Sequence, residues 1–198
     1  MMDVMNLNML LLEERQLGKA RSKMNRMTTG KIVTIVLGIA WALLLGVLAV
    51  AGSVVNLYFA ISMAAICMLN LVAVSIYIQQ VVMILRINYG KGIVETQQKL
   101  AKLQLSTLTI PRILFLQLPF WTTFTWQQSP VFFSQWQFWL IYFPLLLMFT
   151  YAAVWLFINI RITNKSKKWF GLLFRGPAWD PIMEAQEFLE EMEAFKKE

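Results

Sequence analysis

Residues 32–85 read IVTIVLGIAWALLLGVLAVAGSVVNLYFAISMAAICMLNLVAVSIYIQQVVMIL and contain no Lys, Arg, Asp or Glu. A helix needs roughly 20 apolar residues to cross the hydrocarbon core of a membrane. These 54 uncharged residues therefore have room for two crossings and a turn. The first span is predicted from Ile32 to about Ala51, and the second from about Val55 to Leu85. A core helix of a soluble protein would show a charged face every turn or so.

A second uncharged stretch of 48 residues lies between Arg112 and Arg161. It predicts a weakly hydrophobic third span that ends near Trp126 and a fourth from about Trp139 to Ile160. The chain is therefore expected to be an all-α integral membrane protein, with four transmembrane helices as two hairpins plus cytoplasmic amphipathic helices. The expected segments are a basic N-terminal segment (1–31), the first hairpin (32–85), an amphipathic linker helix (86–112), the second hairpin (113–160), and a basic collar with an acidic C-terminal helix (161–198).

The basic residues predict the orientation of these spans. All 18 Lys and Arg residues fall in the three segments that four crossings place on one side. Because positively charged loops stay in the cytoplasm, both termini are expected to be cytoplasmic. The two turns on the other side contain no charge. Trp121, Trp126, Trp136 and Trp139 bracket the second turn, as an interfacial aromatic belt would.

The composition excludes several kinds of chemistry. The chain has no histidine, and Cys67 is its single cysteine. Mechanisms that need an imidazole, an intramolecular disulfide or a cysteine metal cluster are therefore not available within it. The sequence shows no nucleophile elbow, phosphate loop or paired-carboxylate site. We predict a non-enzymatic protein without catalytic residues, cofactor or metal, and without a nucleic-acid partner, since the basic patches adjoin the spans.

Uncharged polar residues inside the spans allow two interpretations. Asn70, Gln79 and Gln117 either form hydrogen bonds between helices, the common role of such groups, or line a shared polar cavity. A transporter of ions usually has an ionisable group within the membrane, and the spans contain none. A cavity formed by these residues would therefore suit a neutral or lipid-like solute.

Small residues recur every four positions on the first span, at Gly38, Ala42 and Gly46. Small residues at this spacing allow two helix backbones to approach closely. The ridge is expected to pack against the second span or against another protomer.

Two cytoplasmic segments have helical periodicity. The segment Ile93–Leu108 places its apolar residues on one face, and Lys91, Glu95, Lys99 and Lys102 lie opposite them. Asp180-Pro181 is a typical helix start, and it opens an acidic amphipathic helix over 180–198. The apolar stripes of both helices are the predicted partner-binding residues: Ile182, Phe188, Leu189, Met192, Phe195, Ile93 and Leu100.

A basic and aromatic patch follows the fourth span. It consists of Lys165, Lys167, Lys168 and Trp169. Each basic residue near an anionic membrane surface contributes about 1 kcal/mol of attraction. The patch is therefore predicted to contact the lipid surface.

Two stretches resemble a known family. The motif Ile93-Val94-Glu95-x-Gln97-x-x-Leu100-Ala101-x-Leu103, preceded by Tyr89, resembles the linker of a family of small four-span bacterial inner-membrane proteins. The ending Ala185-x-x-Phe188-Leu189-x-Glu191-Met192-x-x-Phe195 is similar to the acidic tail of that family. Its members have two membrane hairpins joined by a cytoplasmic helix, and their genes often lie beside those of extracytoplasmic-function sigma factors. The resemblance implies a bacterial inner membrane and regulation there, and no catalytic activity.

Two functions remain open from the sequence. The first is a membrane-anchored regulator or scaffold that acts through its cytoplasmic helices on a cytoplasmic protein partner, with homo-oligomers also possible. The second is a subunit of an oligomeric transporter or channel for a neutral or lipid-like solute. A membrane enzyme has the least support.

Overall fold

A computed structural model describes residues 2–86, 93–164 and 167–174, without the side chains of 2–24, 93–98 and 100. This part of the chain is helical and contains no strand. The elements in order are α1 (Met2–Gly52), α2 (Leu57–Leu85), α3 (Ile93–Phe115), α4 (Phe120–Thr123), α5 (Pro130–Ser134), a π-helical turn (Phe138–Tyr142), α6 (Phe143–Asn159), a 3₁₀ turn (Ile162–Asn164) and α7 (Lys168–Phe174). The prediction of an all-α protein is confirmed for these residues.

Three helical segments are long and apolar enough to cross a membrane: Asn25–Gly52, Leu57–Leu85 and Phe138–Asn159. They correspond to the first, second and fourth predicted spans. The predicted third span is not among them, because its helix is interrupted. The N–H groups of residues 116–118 bond to carbonyls three residues back. Pro119 then has no N–H with which to continue a helix.

The first two helices form an antiparallel hairpin whose contacts recur every seven residues of α1. From the turn outwards, the facing residues are Gly52 and Phe59, Leu45 and Ile66, Gly38 and Val74, and Lys31 and Gln80. Seven residues make about two helical turns, so these α1 positions share one face. At Gly38 the approach is close, since an added Cβ would lie 2.7 Å from Val74 Cγ2.

The segment from α3 to α4 runs antiparallel to α2. Gln80 Nε2 donates a hydrogen bond to Ser106 Oγ over 3.1 Å near one end of α2. The hydroxyls of Ser62 and Thr123 share a hydrogen bond of 2.8 Å further along. At the other end, Asn56 Nδ2 donates to the Trp126 carbonyl over 2.6 Å. Residues 106–126 therefore follow α2 along most of its length.

The two ends of the bundle differ in chemistry. Lys31, Arg86, Arg112 and Arg161 lie near one end, which we call the basic end. The other end, which we call the aromatic end, contains the α1–α2 turn and a cluster of rings. Rings of this cluster are Tyr58, Trp126, Phe132, Phe133, Phe138 and Tyr142, with centroid separations of 5.0 to 6.1 Å.

Helix α7 folds back against the basic end. Phe170 is 2% exposed and packs in one cluster with Leu108 of α3 and Ile160 at the end of α6. Burial of a large aromatic side chain contributes roughly 1.5–3 kcal/mol. This contact places the residues around Lys168 near Leu108 of α3 and the end of α6.

Candidate functional site

Most of the buried polar side chains in the described residues lie on α1, α2 and α3 towards the basic end. Thr28, Lys31, Gln80, Gln104 and Thr107 are each less than 9% exposed. The apolar residues Met27, Ile84 and Leu103 of the same three helices are also buried. A buried polar group is costly unless it is hydrogen-bonded, so the geometry of this region decides whether it stabilises the protein.

A chain of side-chain contacts crosses the three helices. Lys31 Nζ donates a hydrogen bond to Gln80 Oε1, and Gln80 Nε2 donates to Ser106 Oγ over 3.1 Å. The Lys31 ammonium also lies over the Tyr77 ring, 5.2 Å from its centroid. We call Lys31, Tyr77, Gln80 and Ser106 the polar junction. It joins α1 to α3 through one glutamine on α2.

The polar junction carries a positive charge without a carboxylate among the side chains that the structure describes. Every Asp and Glu of the sequence lies at a position whose side chain is outside that description. The Gln80 oxygen and the face of the Tyr77 ring, both of partial negative charge, contact the ammonium and compensate its charge. These contacts connect the helices. Removing either partner would leave the buried ammonium with less compensation for its charge.

The order of the groups in the polar junction does not suit nucleophilic catalysis. A serine–lysine pair requires the amine to accept the proton of the hydroxyl directly. Here the amide of Gln80 separates Lys31 from Ser106, and its N–H occupies the Ser106 oxygen. This arrangement connects the helices and does not place the Lys31 amine against the Ser106 hydroxyl.

The residues predicted to line a polar cavity are not brought together. Asn70 donates to the Ile66 carbonyl of its own helix over 2.8 Å, and Gln79 is exposed. Nine residues at 100° each put these two side chains on opposite faces of α2. Gln117 is buried in the turn between α3 and α4.

The predicted helix-packing residues have two environments. Gly38 lies against Val74 of α2, and the Ala42 carbonyl accepts a hydrogen bond from Cys67 Sγ over 3.3 Å. Gly46 has open space where a Cβ would be added. It lies in an apolar groove of about 630 Å³ between α1 and α2.

The predicted lipid-surface residues lie at the basic end where the structure describes them. Lys167 and Lys168 are exposed. Trp169 is half-buried and packs on the bundle, with its ring centroid 5.3 Å from that of Trp155. Lys165 lies outside the described residues. So do the predicted partner-binding residues of the acidic helix, Ile182, Phe188, Leu189, Met192 and Phe195, and the side chains of Ile93 and Leu100.

Sequence reasoning missed Lys31 and Gln80, the centre of the polar junction. Lys31 precedes Gly38 by seven residues, and Gln80 follows Ala73 by seven. A period of seven keeps residues on one helix face, so this spacing was a signal that both side chains point towards the neighbouring helix. Trp126, predicted for the aromatic belt, packs within the ring cluster, whereas Trp121, Trp136 and Trp139 are exposed.

No protein-family model matches the chain, and searches of curated proteins and of solved structures found no match. The resemblance of Ile93–Leu103 and Ala185–Phe195 to a bacterial membrane family therefore stays a prediction. Among the described residues, no group of three or more His, Cys, Asp or Glu lies close enough to hold a metal ion.

Proposed function

We propose that the protein is a non-enzymatic regulator or scaffold that crosses the membrane four times and acts through helices that project from the basic end. The observation that carries this proposal is the length of α1, which is one helix of 51 residues. At 1.5 Å per residue it is about 76 Å long, whereas a membrane core is about 30 Å thick. More than half of α1 is thus available outside the bilayer.

The polar junction supports the same proposal, because it fixes the base of the projecting segment. Lys31 is the last charged residue of α1 before the apolar run, and its ammonium is held by Gln80 of α2. Gln80 in turn holds Ser106 of α3. A signal or partner on the projecting part of α1 would act on a helix whose position is coupled to α3.

A fourth crossing is supported by the path of α3 and α4. Residues 106–126 contact α2 from Gln80 to Asn56. These 24 residues of α2 rise about 36 Å, enough to cross the hydrocarbon core. A crossing that is interrupted near Pro119 is tolerated where neighbouring helices satisfy its backbone, as Asn56 does for the Trp126 carbonyl.

The positive charges support a cytoplasmic position for the basic end and both termini. The bacterial inner membrane is supported only by the family resemblance. The acidic helix over 180–198 would then lie on the same side as α1. Its net charge suits a basic partner surface such as Lys99 and Lys102, although exposed ion pairs add only about 0.2–1 kcal/mol each.

A pull-down in mild detergent tests this function. The tagged full-length protein is compared with a version lacking 180–198 and with a version whose residues 2–22 are replaced by an Ala, Glu and Lys helix of equal length. We expect a soluble protein to co-purify with the full chain and to be lost from one of the two versions. The same co-purifying proteins in all three samples would contradict the proposal. Attention would then turn to solute flux through oligomers, the alternative function.

A further inference from the structure

A positively charged surface surrounds the end of α6 that lies at the basic end. The sequence holds eight basic and no acidic residues between Glu95 and Asp180. Arg112 comes from α3, Arg161 follows α6, and Lys167 and Lys168 lie at the start of α7. The packing of Phe170 on Leu108 and Ile160 brings these three elements together.

Arg112 is held in a fixed orientation. Its Nε donates to the Phe157 carbonyl over 2.9 Å, and its guanidinium carbon lies 4.8 Å from the centroid of the Phe157 ring. Both contacts use the Nε edge and one face of the guanidinium. No acceptor for its two terminal nitrogens is found among the described residues. The two terminal NH2 groups of a planar guanidinium match the geometry of a phosphate.

Apolar side chains are exposed beside these cations. Leu172 of α7 is 87% exposed, and Ile158 of α6 is 49% exposed. Ile158 belongs to a segment that is apolar enough to cross the membrane, so the lipid reaches the level of these cations. Free phosphate or a nucleic acid would leave Leu172 in water. An anionic phospholipid would cover Leu172 with an acyl chain while its phosphate reached Arg112.

We propose that Arg112, with Arg161 and Lys168 from the adjoining elements, forms a binding site for the phosphate of one anionic phospholipid. The site differs from the diffuse attraction of a basic collar, because its affinity depends on the orientation of one guanidinium. It needs only the membrane location of the protein, and it does not depend on whether the protein is a regulator.

The test is native mass spectrometry of the delipidated full-length protein in detergent, titrated with phosphatidylglycerol and separately with phosphatidylcholine. We expect one phosphatidylglycerol to bind more tightly than any further molecule, and Arg112→Gln to weaken that binding about tenfold or more. The matched control is Arg86→Gln, which removes an equal charge from an exposed arginine at the basic end. It should change the Kd of the first phosphatidylglycerol molecule by less than about twofold.

Arg112→Lys separates charge from geometry, since it keeps the cation and removes the paired N–H groups. We expect it to weaken binding nearly as much as Arg112→Gln. If the Arg112 variants fail to fold, Arg161→Gln provides the test. We expect it to lose more affinity for the first phosphatidylglycerol than Arg86→Gln does. If Arg86→Gln and the variants of the site lose equal affinity for phosphatidylglycerol, the attraction is diffuse and the proposal is overturned. Displacement of the lipid by millimolar inorganic phosphate would overturn the assignment to a lipid.

Discussion

The Lys31 ammonium donates a hydrogen bond to the Gln80 side-chain oxygen, although the two residues lie 49 positions apart in the chain. Both side chains are at most 4% exposed. The amide dipole of Gln80 and the Tyr77 ring, whose centroid lies 5.2 Å from the ammonium, stabilise the charge. Such a pair stabilises the protein only while it is intact, because each member satisfies a group that burial would otherwise leave unpaired.

Gln80→Leu should be more destabilising than Lys31→Met. The glutamine variant leaves a buried ammonium without its acceptor, and breaking a buried pair in this way costs about 3–5 kcal/mol. The lysine variant leaves only a neutral amide oxygen unpaired, at about 1–3 kcal/mol. The measurement is the free energy of unfolding in detergent.

The double variant Lys31→Met with Gln80→Leu supplies the decisive comparison, because it removes both unpaired groups. It should be more stable than Gln80→Leu alone. Lys102→Met is the matched control, since Lys102 is exposed on α3, and it should change stability by less than about 0.5 kcal/mol. Additive losses in the double variant would show that the two residues do not interact.

Gly38→Ala should destabilise the first hairpin, and Gly46→Ala should not. A Cβ at position 38 would meet Val74 Cγ2 at 2.7 Å, whereas position 46 is open. Overpacking costs typically about 1–3 kcal/mol. Gly→Ala in an open helix position can stabilise by up to about 1 kcal/mol. Thermal unfolding of the two variants in one detergent measures the difference. Val74→Ala combined with Gly38→Ala should recover part of the loss, and no recovery would argue against this contact.

The sequence predicts the membrane helices of this protein better than it predicts which of their faces are buried. Charge-free runs around Leu45 and Leu146 predict membrane helices, because a long apolar segment has few other stable environments. The turn at Leu116–Leu118 was not predictable as a helix end, since proline is often accommodated within membrane helices. The sequence analysis predicts a role for Gln79, whereas the structure buries Gln80 and exposes Gln79. One residue changes the helix face by 100°, and hydropathy alone does not identify which face is buried.

Asn56→Asp and Asn56→Ala should separate the two roles of this side chain at the aromatic end. Its oxygen accepts from the N–H groups of Tyr58 and Phe59 at the start of α2, and its Nδ2 donates to the Trp126 carbonyl. Aspartate keeps the cap and loses the donor, whereas alanine loses both. We expect alanine to cost about 1 kcal/mol more than aspartate, the usual contribution of a cap. Thermal unfolding followed by circular dichroism would show which of the two variants is less stable. Exposed Gln128→Ala serves as the control, and equal losses in the two Asn56 variants would exclude a capping role.

The number of crossings can be decided by cysteine labelling, because the path of residues 106–126 makes a strict prediction. In a Cys67→Ala background, single cysteines are placed at the exposed positions Ser53, Lys102 and Gln128. If residues 106–126 cross the membrane beside α2, Ser53→Cys and Gln128→Cys react with a membrane-impermeant maleimide from one side. Lys102→Cys then reacts only from the other side. A protein with three crossings would label Lys102→Cys and Gln128→Cys from the same side, because the segment between them would return to its starting surface. Intact cells and inverted vesicles give the two sides, and labelling after detergent solubilisation confirms that each cysteine is reactive.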